Sequence, residues 1–154
     1  MIILLSKSIF KKLFMLKMLL ILAFAPLTLC GQDVEVTIKD IKNNKGQIVI
    51  GVFRDEPTYL KEDAFLTRKF VKQGIVNGEM KVRFTMEPGV YGLTLLDDEN
   101  NSGLMEYNFI GIPKEGFGFS DYYHSGFTKP KFETFKFTLE NGQKKNITVK
   151  VRYI

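Results

Sequence analysis

This sequence has few of the residues from which hydrolases and disulfide-stabilised proteins are most often built. It contains one cysteine, Cys30, and one histidine, His124. A catalytic triad or a histidine-based zinc site is hard to assemble from so few side chains. Cys30 lies in a segment that we expect to be removed, so the mature chain would owe nothing to disulfides or thiol chemistry. His124 is interpreted as a surface loop residue.

The signatures of common nucleotide-dependent and hydrolytic enzymes are also missing. The sequence has no P-loop, no dinucleotide-binding fingerprint and no Gly-x-Ser-x-Gly turn. It shows no amphipathic helix of useful length, no internal repeat and no low-complexity linker. We therefore expect a single domain that is not an enzyme.

An excess of positive charge is confined to the N-terminus. The chain has 22 Lys and Arg against 17 Asp and Glu, and four of the basic residues but none of the acidic ones precede residue 32. The remaining 18 basic and 17 acidic residues nearly cancel. The basic isoelectric point is therefore no argument for a nucleic-acid partner, and none is expected.

Residues 1–31 predict a secretory signal peptide. Four lysines precede an apolar run that ends at Pro26, with small residues close behind it. The run has about 13 residues, fewer than the about 20 that a membrane-spanning helix needs, so no transmembrane segment is expected in the mature chain. Cleavage near Cys30 would leave one domain, residues 32–154, in the periplasm or outside the cell. The alternatives are a retained anchor and acylation of Cys30, although Leu29 is larger than the small residue that acylation favours.

Short segments of alternating polarity predict an all-β domain. Apolar and polar side chains alternate over residues 34–38, 82–86, 135–139 and 147–153, the period of a half-buried strand. Residues 47–53 are apolar on both faces, which predicts a central strand covered on both sides. We expect an antiparallel β-sandwich of about seven strands with transthyretin-like Greek-key topology.

Turn signals divide these strands. Asn77-Gly78 favours a type I′ turn and predicts a hairpin between strands at residues 69–76 and 79–86. Residues 54–68 are charged and contain Pro57, so they predict a surface excursion with one helical turn near residues 61–65.

The loop that follows the strand at residues 91–96 has the spacing of a calcium site. Potential oxygen ligands fall at alternate positions, and Gly103 at position six permits a positive φ. Ca²⁺ prefers about six to eight oxygens from carboxylates, amides and carbonyls. The candidate metal ligands are Asp98, Asn100, Ser102, Leu104 through its carbonyl, Glu106 and Asn108. Phe109 stands where an EF-hand has a bidentate Glu, so the loop is not an EF-hand.

An alternative for this loop is an Asx-rich turn that bonds its own backbone and holds no metal. If Ca²⁺ does bind, we expect a structural ion, because a closed oxygen shell leaves little room for a substrate. Ca²⁺ is also a weak activator of water compared with Zn²⁺.

Residues 111–132 are rich in glycine and aromatic side chains. Tyr122, Tyr123 and Phe127 are candidates for an aromatic surface that binds a sugar or a peptide. The alternative is a compact Ω-type loop folded on its own aromatics, because a long ordered loop must bury something to be stable.

Several motifs resemble one bacterial family. They are Glu87-Pro-Gly-Val-Tyr91, Asp98-Glu-Asn100 with Gly103, Asn108-Phe-Ile-Gly-Ile-Pro-Lys-Glu115 and Gly116-Phe-Gly-Phe-Ser120. Over about residues 33–153 the chain resembles the domain of unknown function 2141. The resemblance implies a secreted or periplasmic β-sandwich related to transthyretin-like and carboxypeptidase-regulatory-like modules, and it implies no particular activity. Members often carry His, Asn and Asp where this chain has Asp97, Ser102 and Glu106, which alters the ligand set of the loop.

These observations lead to three hypotheses. The first is a noncatalytic, monomeric β-sandwich that binds or scaffolds at the bacterial envelope, with an envelope protein or glycan as partner and Ca²⁺ in the loop. The second is a carbohydrate- or peptide-binding module that uses the aromatic loop 117–132. The third is a hydrolase that pairs Asp97, Asp98 or Glu106 with Glu115.

Overall fold

The computed structural model describes residues 31–154. The predicted leader, with its cleavage, anchor and acylation alternatives, lies outside these residues except for Gly31. The elements in chain order are β1 (Gln32–Lys39), β2 (Gln47–Phe53), α1 (Glu56–Leu60), β3 (Leu66–Val71), β4 (Met80–Met86), β5 (Gly89–Asp98), β6 (Gly116–Phe119), a 3-10 helix (Phe132–Thr134), β7 (Lys136–Leu139) and β8 (Lys145–Lys150). No helix within residues 31–154 is long and apolar enough to cross a membrane.

The strands form two sheets, which confirms the predicted β-sandwich. One sheet has the order β4-β1-β8, and the other has the order β3-β2-β5-β6 with β7 also paired to β5. Every named pair is antiparallel except β1 with β8, which is parallel. The expectation of a purely antiparallel sandwich is therefore wrong at that pair.

The main core lies between the two sheets. Alternate residues of the long strands point inward, as the period-two pattern predicts. The inward residues include Val34, Val36, Ile38, Ile48, Ile50, Val52, Tyr91, Leu93, Leu95, Ile147 and Val149. Burying each of these side chains contributes about 1.5–3 kcal/mol.

A second, aromatic cluster packs at one end of the other face of β2, where Val49 and Phe53 are buried, which confirms the prediction of a strand buried on both sides. It consists of Phe53, Tyr59, Phe119, Phe132 and Phe135. The helix α1 supplies Tyr59 and begins earlier than predicted. It does so because Asp55 caps it, accepting a hydrogen bond from the amide of Thr58 at 2.9 Å, with Pro57 in the first turn.

The predicted hairpin across Asn77-Gly78 is wrong except at its turn. Both turn residues have positive φ, 52° and 75°, as a type I′ turn requires. Only Val76 and Glu79 pair beside it, through an isolated bridge. The strand β3 instead pairs with β2, and β4 pairs with β1. Residues 72–79 therefore carry the chain from one sheet to the other.

The strand β6 lies in a segment that sequence patterns predict to be irregular. Its glycines allow close packing, since a Cβ atom at Gly116 or Gly118 would lie 2.5 Å from Tyr153 or Val149 respectively. Phe117 of β6 also exchanges backbone hydrogen bonds of 2.9 and 2.7 Å with Arg152, beyond the end of β8. The two sheets are joined at this edge.

A buried serine connects the pieces of the five-stranded sheet. The first half of β5 pairs with β7 and the second half with β6. At the junction, the Ser120 hydroxyl accepts a hydrogen bond from the Leu93 amide at 3.0 Å and donates one to the Phe135 carbonyl at 2.5 Å. Ser120 thereby satisfies backbone groups that neither strand pairing reaches.

We expect Ser120→Ala to lower the free energy of unfolding by about 1–3 kcal/mol, because it leaves buried backbone groups without partners. Ser125→Ala, in an exposed loop, is the matched control and should change stability by less than about 0.5 kcal/mol. Urea denaturation of the three proteins measures the difference. Equal midpoints for all three would contradict the role assigned to Ser120.

Candidate functional site

The predicted metal loop follows β5 and is closed by its own hydrogen bonds. Asp98 is fully buried, and its carboxylate accepts the amides of Ser102 and Gly103 at 2.9 Å each. Gln47 donates to the same carboxylate at 2.7 Å. Asn100 accepts the Ser102 amide at 2.8 Å, and Gly103 has the expected positive φ of 78°. This is the Asx-bonded conformation considered above as the alternative to a metal site.

The other candidate ligands divide between two turns. Glu106 accepts a hydrogen bond from the Asn100 side-chain amide at 2.9 Å, and the Ser102 hydroxyl donates to the Leu104 carbonyl at 3.0 Å. Asn108 instead closes the next turn by accepting two backbone amides. Within residues 31–154 no group of three or more His, Cys, Asp or Glu side chains could hold a metal ion. A calcium site here would need amide and carbonyl oxygens, and it stays a prediction.

Glu115 adds a buried carboxylate beside this loop. Glu115 is only 7% exposed to solvent. Within residues 31–154, neither of its carboxylate oxygens has a hydrogen-bond partner. Burial raises the pKa of Glu115, and the nearby charge of Asp98 raises it further. The backbone amides of Glu99 and Glu106 lie near this carboxylate without the geometry of a full hydrogen bond, and they lower the pKa by a smaller amount. Two buried carboxylates this close favour either a bound cation or a retained proton.

The three aromatic candidates do not form one surface. Tyr122 is half-buried and packs against the aromatic cluster. Tyr123 is exposed, with the Lys150 ammonium 5.3 Å from its ring centre. Phe127 is 90% exposed and lines the mouth of a groove. The loop is therefore partly a cap, as the Ω-loop interpretation predicts, and partly an exposed wall.

The groove lies over the outer face of the five-stranded sheet and has a volume of about 440 Å³. Its floor comes from β2, β5 and β6. Its walls come from α1, from the loop with the candidate calcium ligands (residues 98–108, the acidic loop) and from the aromatic loop (residues 117–132). The main lining residues are Val49, Phe53, Tyr59, Thr94, Leu96, Leu104, Met105, Tyr107, Phe117, Phe119, Phe127 and Pro130. The two loops singled out from sequence thus form the walls of one groove.

The aromatic loop forms one wall of the groove, and Arg152, beyond the end of β8, holds its backbone in place. Arg152 donates hydrogen bonds to the carbonyls of His124 and Gly126, at 2.9 and 2.6 Å. His124 is half-buried, bonds the Thr128 carbonyl through Nε2 and lies edge-on to Phe119. These contacts fix the backbone next to Phe127 in the absence of a ligand.

A buried polar group at the end of β5 was not predicted. Lys72 and Asp97 form an ion pair in which both side chains are fully buried, and the Tyr153 hydroxyl donates to Asp97. Burial raises the pKa of Tyr153, as does its hydrogen bond to Asp97. The only signal in the sequence was that Asp97 continues the inward face of Leu93 and Leu95. Lys72 and Tyr153 are far from it along the chain.

The orientation of Asp97 also bears on the hydrolase hypothesis. Successive side chains of a strand point to opposite faces of the sheet. Asp97 therefore faces the core beside Tyr153, whereas Asp98 faces the acidic loop. Of the three carboxylates that the hypothesis pairs with Glu115, Asp98 and Glu106 lie close enough for their charges to raise its pKa, whereas Asp97 points into the core; the hydrolase hypothesis stays a prediction.

A comparison with known protein families identifies the family of this chain. Its sequence matches, over residues 36–148, the model of a family described as uncharacterized protein conserved in bacteria (DUF2141). The chain belongs to this family. No curated protein and no solved structure matches it. The DUF2141 match runs from β1 into β8, so it includes both loops and the groove. The finer likeness to transthyretin-like modules stays a prediction.

The raised pKa of Glu115 predicts a pH-dependent stability. A proton binds Glu115 more tightly in the folded state, so the folded state is favoured below the ordinary pKa of 4.5 and loses that advantage as pH rises through the folded-state pKa. We expect Glu115→Gln in EDTA-containing buffer to be more stable than the wild type at pH 7. The difference should shrink or reverse near pH 4.

Glu87→Gln, at an exposed turn, is the control and should follow the wild type at both pH values. Thermal melting at each pH provides the measurement. A wild type that matches or exceeds Glu115→Gln at pH 7 would contradict the assignment.

Proposed function

We propose that this DUF2141 protein is a noncatalytic, extracytoplasmic binding module that holds an extended peptide with apolar side chains in the groove over its five-stranded sheet. The observation that supports this function is the groove itself. Its volume of about 440 Å³ falls within the range of about 300–1,000 Å³ that is typical of ligand sites. Export rests on the leader predicted from residues 1–31.

Apolar side chains on the groove walls support an apolar ligand. Phe53, Phe117 and Phe119 lie along its floor. Leu104 is 73% exposed at the acidic wall, facing water as Phe127 does at the other wall. Covering such surface contributes about 25 cal/mol per Å². Because Arg152 already orders the aromatic wall, less entropy is lost when a ligand binds.

The mostly apolar lining of the groove favours a peptide with apolar side chains over a glycan. A sugar needs hydrogen-bond partners for its hydroxyls, and most of the side chains that line the groove are apolar. Glu62 pairs with Lys129 and His124 bonds the Thr128 carbonyl through Nε2, while the Tyr59 hydroxyl and His124 Nδ1 have no hydrogen-bond partner within residues 31–154. Among the described residues that line the groove, Glu62 has the only acidic side chain, which supports a noncatalytic role because paired-carboxylate chemistry needs two such side chains.

Filling the groove should abolish binding. We expect a random-peptide library panned on the immobilised protein to enrich peptides with apolar side chains. Thr94→Trp, on the groove floor, should weaken their binding at least about tenfold by occupying the space. Thr85→Trp, exposed on β4 of the other sheet, should bind like the wild type. Calorimetric titration gives the dissociation constants.

Two outcomes would contradict this proposal. One is enrichment of peptides that bind Thr94→Trp as tightly as the wild type. The other is failure of all peptides together with saturable binding of soluble peptidoglycan fragments, which would replace the peptide with a glycan.

We also propose that Ca²⁺ binds weakly at the acidic loop and stabilises the wall that carries Leu104. Glu115 supports this, because it is a buried carboxylate without a hydrogen-bond partner beside the buried Asp98. A cation there would offset the charge of both groups. With so few carboxylates, the affinity falls in the range of extracellular calcium modules, about 0.1–1 mM.

Addition of about 5 mM CaCl₂ should therefore raise the melting temperature by a few degrees. Asp98→Asn should lose this rise, whatever its own baseline stability, and Glu87→Gln should keep it. Differential scanning fluorimetry measures the shift, with MgCl₂ as the ionic-strength control. An absent rise in the wild type, or an equal rise in Asp98→Asn, would contradict a site at this loop.

A further inference from the structure

The buried contact between Lys72 and Asp97 has no part in the binding function proposed above. Lys72 follows β3 and Asp97 lies near the end of β5, and these strands flank β2 on opposite sides. The two side chains therefore meet across β2, on the inner face of the sheet. Any bond between them would connect the end of β3 to β5 across β2.

The surroundings of this pair are unusual for two ions. Both side chains are fully buried. Within residues 31–154, Lys72 Nζ and Asp97 Oδ1 have no hydrogen-bond partner, and the polar contact that each of them makes there is with the other. A lysine ammonium has three donors, and a buried ion pair normally needs further hydrogen bonds to offset its desolvation. The desolvation of two charges is therefore offset here mainly by a single contact, and a neutral covalent linkage would remove that penalty.

We propose that Lys72 and Asp97 condense into an intramolecular isopeptide bond, formed by the folded chain itself. The lysine nitrogen bonds to the side-chain carboxyl carbon of Asp97, and one carbon–oxygen bond of that carboxyl group breaks. The ammonium gives up two protons, which leave with the departing oxygen as one water molecule. The atoms and electrons balance without an oxidant, a reductant or a cofactor.

Tyr153 is placed to assist this reaction. Its hydroxyl donates a hydrogen bond to Asp97 Oδ2, the carboxyl oxygen that does not contact Lys72. Negative charge develops on that oxygen when the nitrogen adds to the carbon, and a fixed donor stabilises such charge. The Lys42 amide in turn donates to the Tyr153 hydroxyl at 3.1 Å, which orients it. Tyr153 is therefore the assisting residue for bond formation.

The amide product costs less to bury at this site than the ion pair does. An amide carries no charge, so the desolvation of two ions no longer opposes folding. The Tyr153 hydroxyl keeps its acceptor in the amide carbonyl. The bond also closes a covalent loop from residue 72 to residue 97, which contains β4 and most of β5, and it restricts the unfolded chain as a disulfide would.

The mass of the denatured full chain tests this directly. We expect the wild type to be lighter than its sequence mass by one water, about 18 Da. A tryptic digest should contain a branched peptide that joins Lys72 to Asp97. Lys72→Arg keeps the size and charge of the side chain but should show the full sequence mass. Lys150→Arg, on the surface of β8, should lose water like the wild type.

The Tyr153→Phe variant tests whether the Tyr153 hydroxyl assists formation of the bond or whether the ring only packs at this site. It keeps the ring but removes the donor, so the cross-linked fraction should form at least about tenfold more slowly after refolding. A folded wild type with its full sequence mass would overturn the proposal and leave an ion pair. So would a water loss that maps to other residues or persists in Lys72→Arg. These outcomes hold even if a variant folds poorly, because the wild-type mass alone decides between bond and ion pair.

Discussion

The pairing of β5 is the constraint on which the rest of this domain depends. This strand bonds to β2 along one edge and to β6 and β7 in succession along the other. Its inward side chains complete the core, and its outward ones form the groove floor. The same alternation sends Asp97 into the interior and Asp98 into the acidic loop. A shift of one residue in its register would exchange all of these roles at once.

Hydrogen bonds from side chains to the backbone hold the loops of this domain in place. Asp98, Asn108 and Ser120 each satisfy two or more backbone groups through one side chain. Arg152 does the same for the aromatic loop. Such bonds hold the two walls of the groove in place without regular secondary structure, so the shape of the walls depends on these particular side chains.

Features set by local periodicity could be predicted from the sequence, and features set by distant partners could not. The alternation in β1 and β8 and the two-sided burial of β2 follow from neighbouring residues alone. The Asn77-Gly78 turn was also local, but the partners of its flanking strands were decided by pairing with β2 and β1. Gly116 and Gly118 looked like loop residues because Val149 and Tyr153, which require them, lie about 30 residues later. The acidic loop follows β5 as the sequence predicts, although its metal stays a prediction, whereas the partner of Asp97 depended on the topology.

The parallel pairing of β1 with β8 has a consequence for the order of assembly. In the three-stranded sheet β1 lies at the centre, with β4 on one side and β8 on the other. The first strand of the domain therefore waits for the last one, residues 145–150, before its sheet is complete. Contacts of such long sequence separation form slowly. The five-stranded sheet does not contain β8, so it can form earlier, and closure of the three-stranded sheet is the step that needs both ends of the domain.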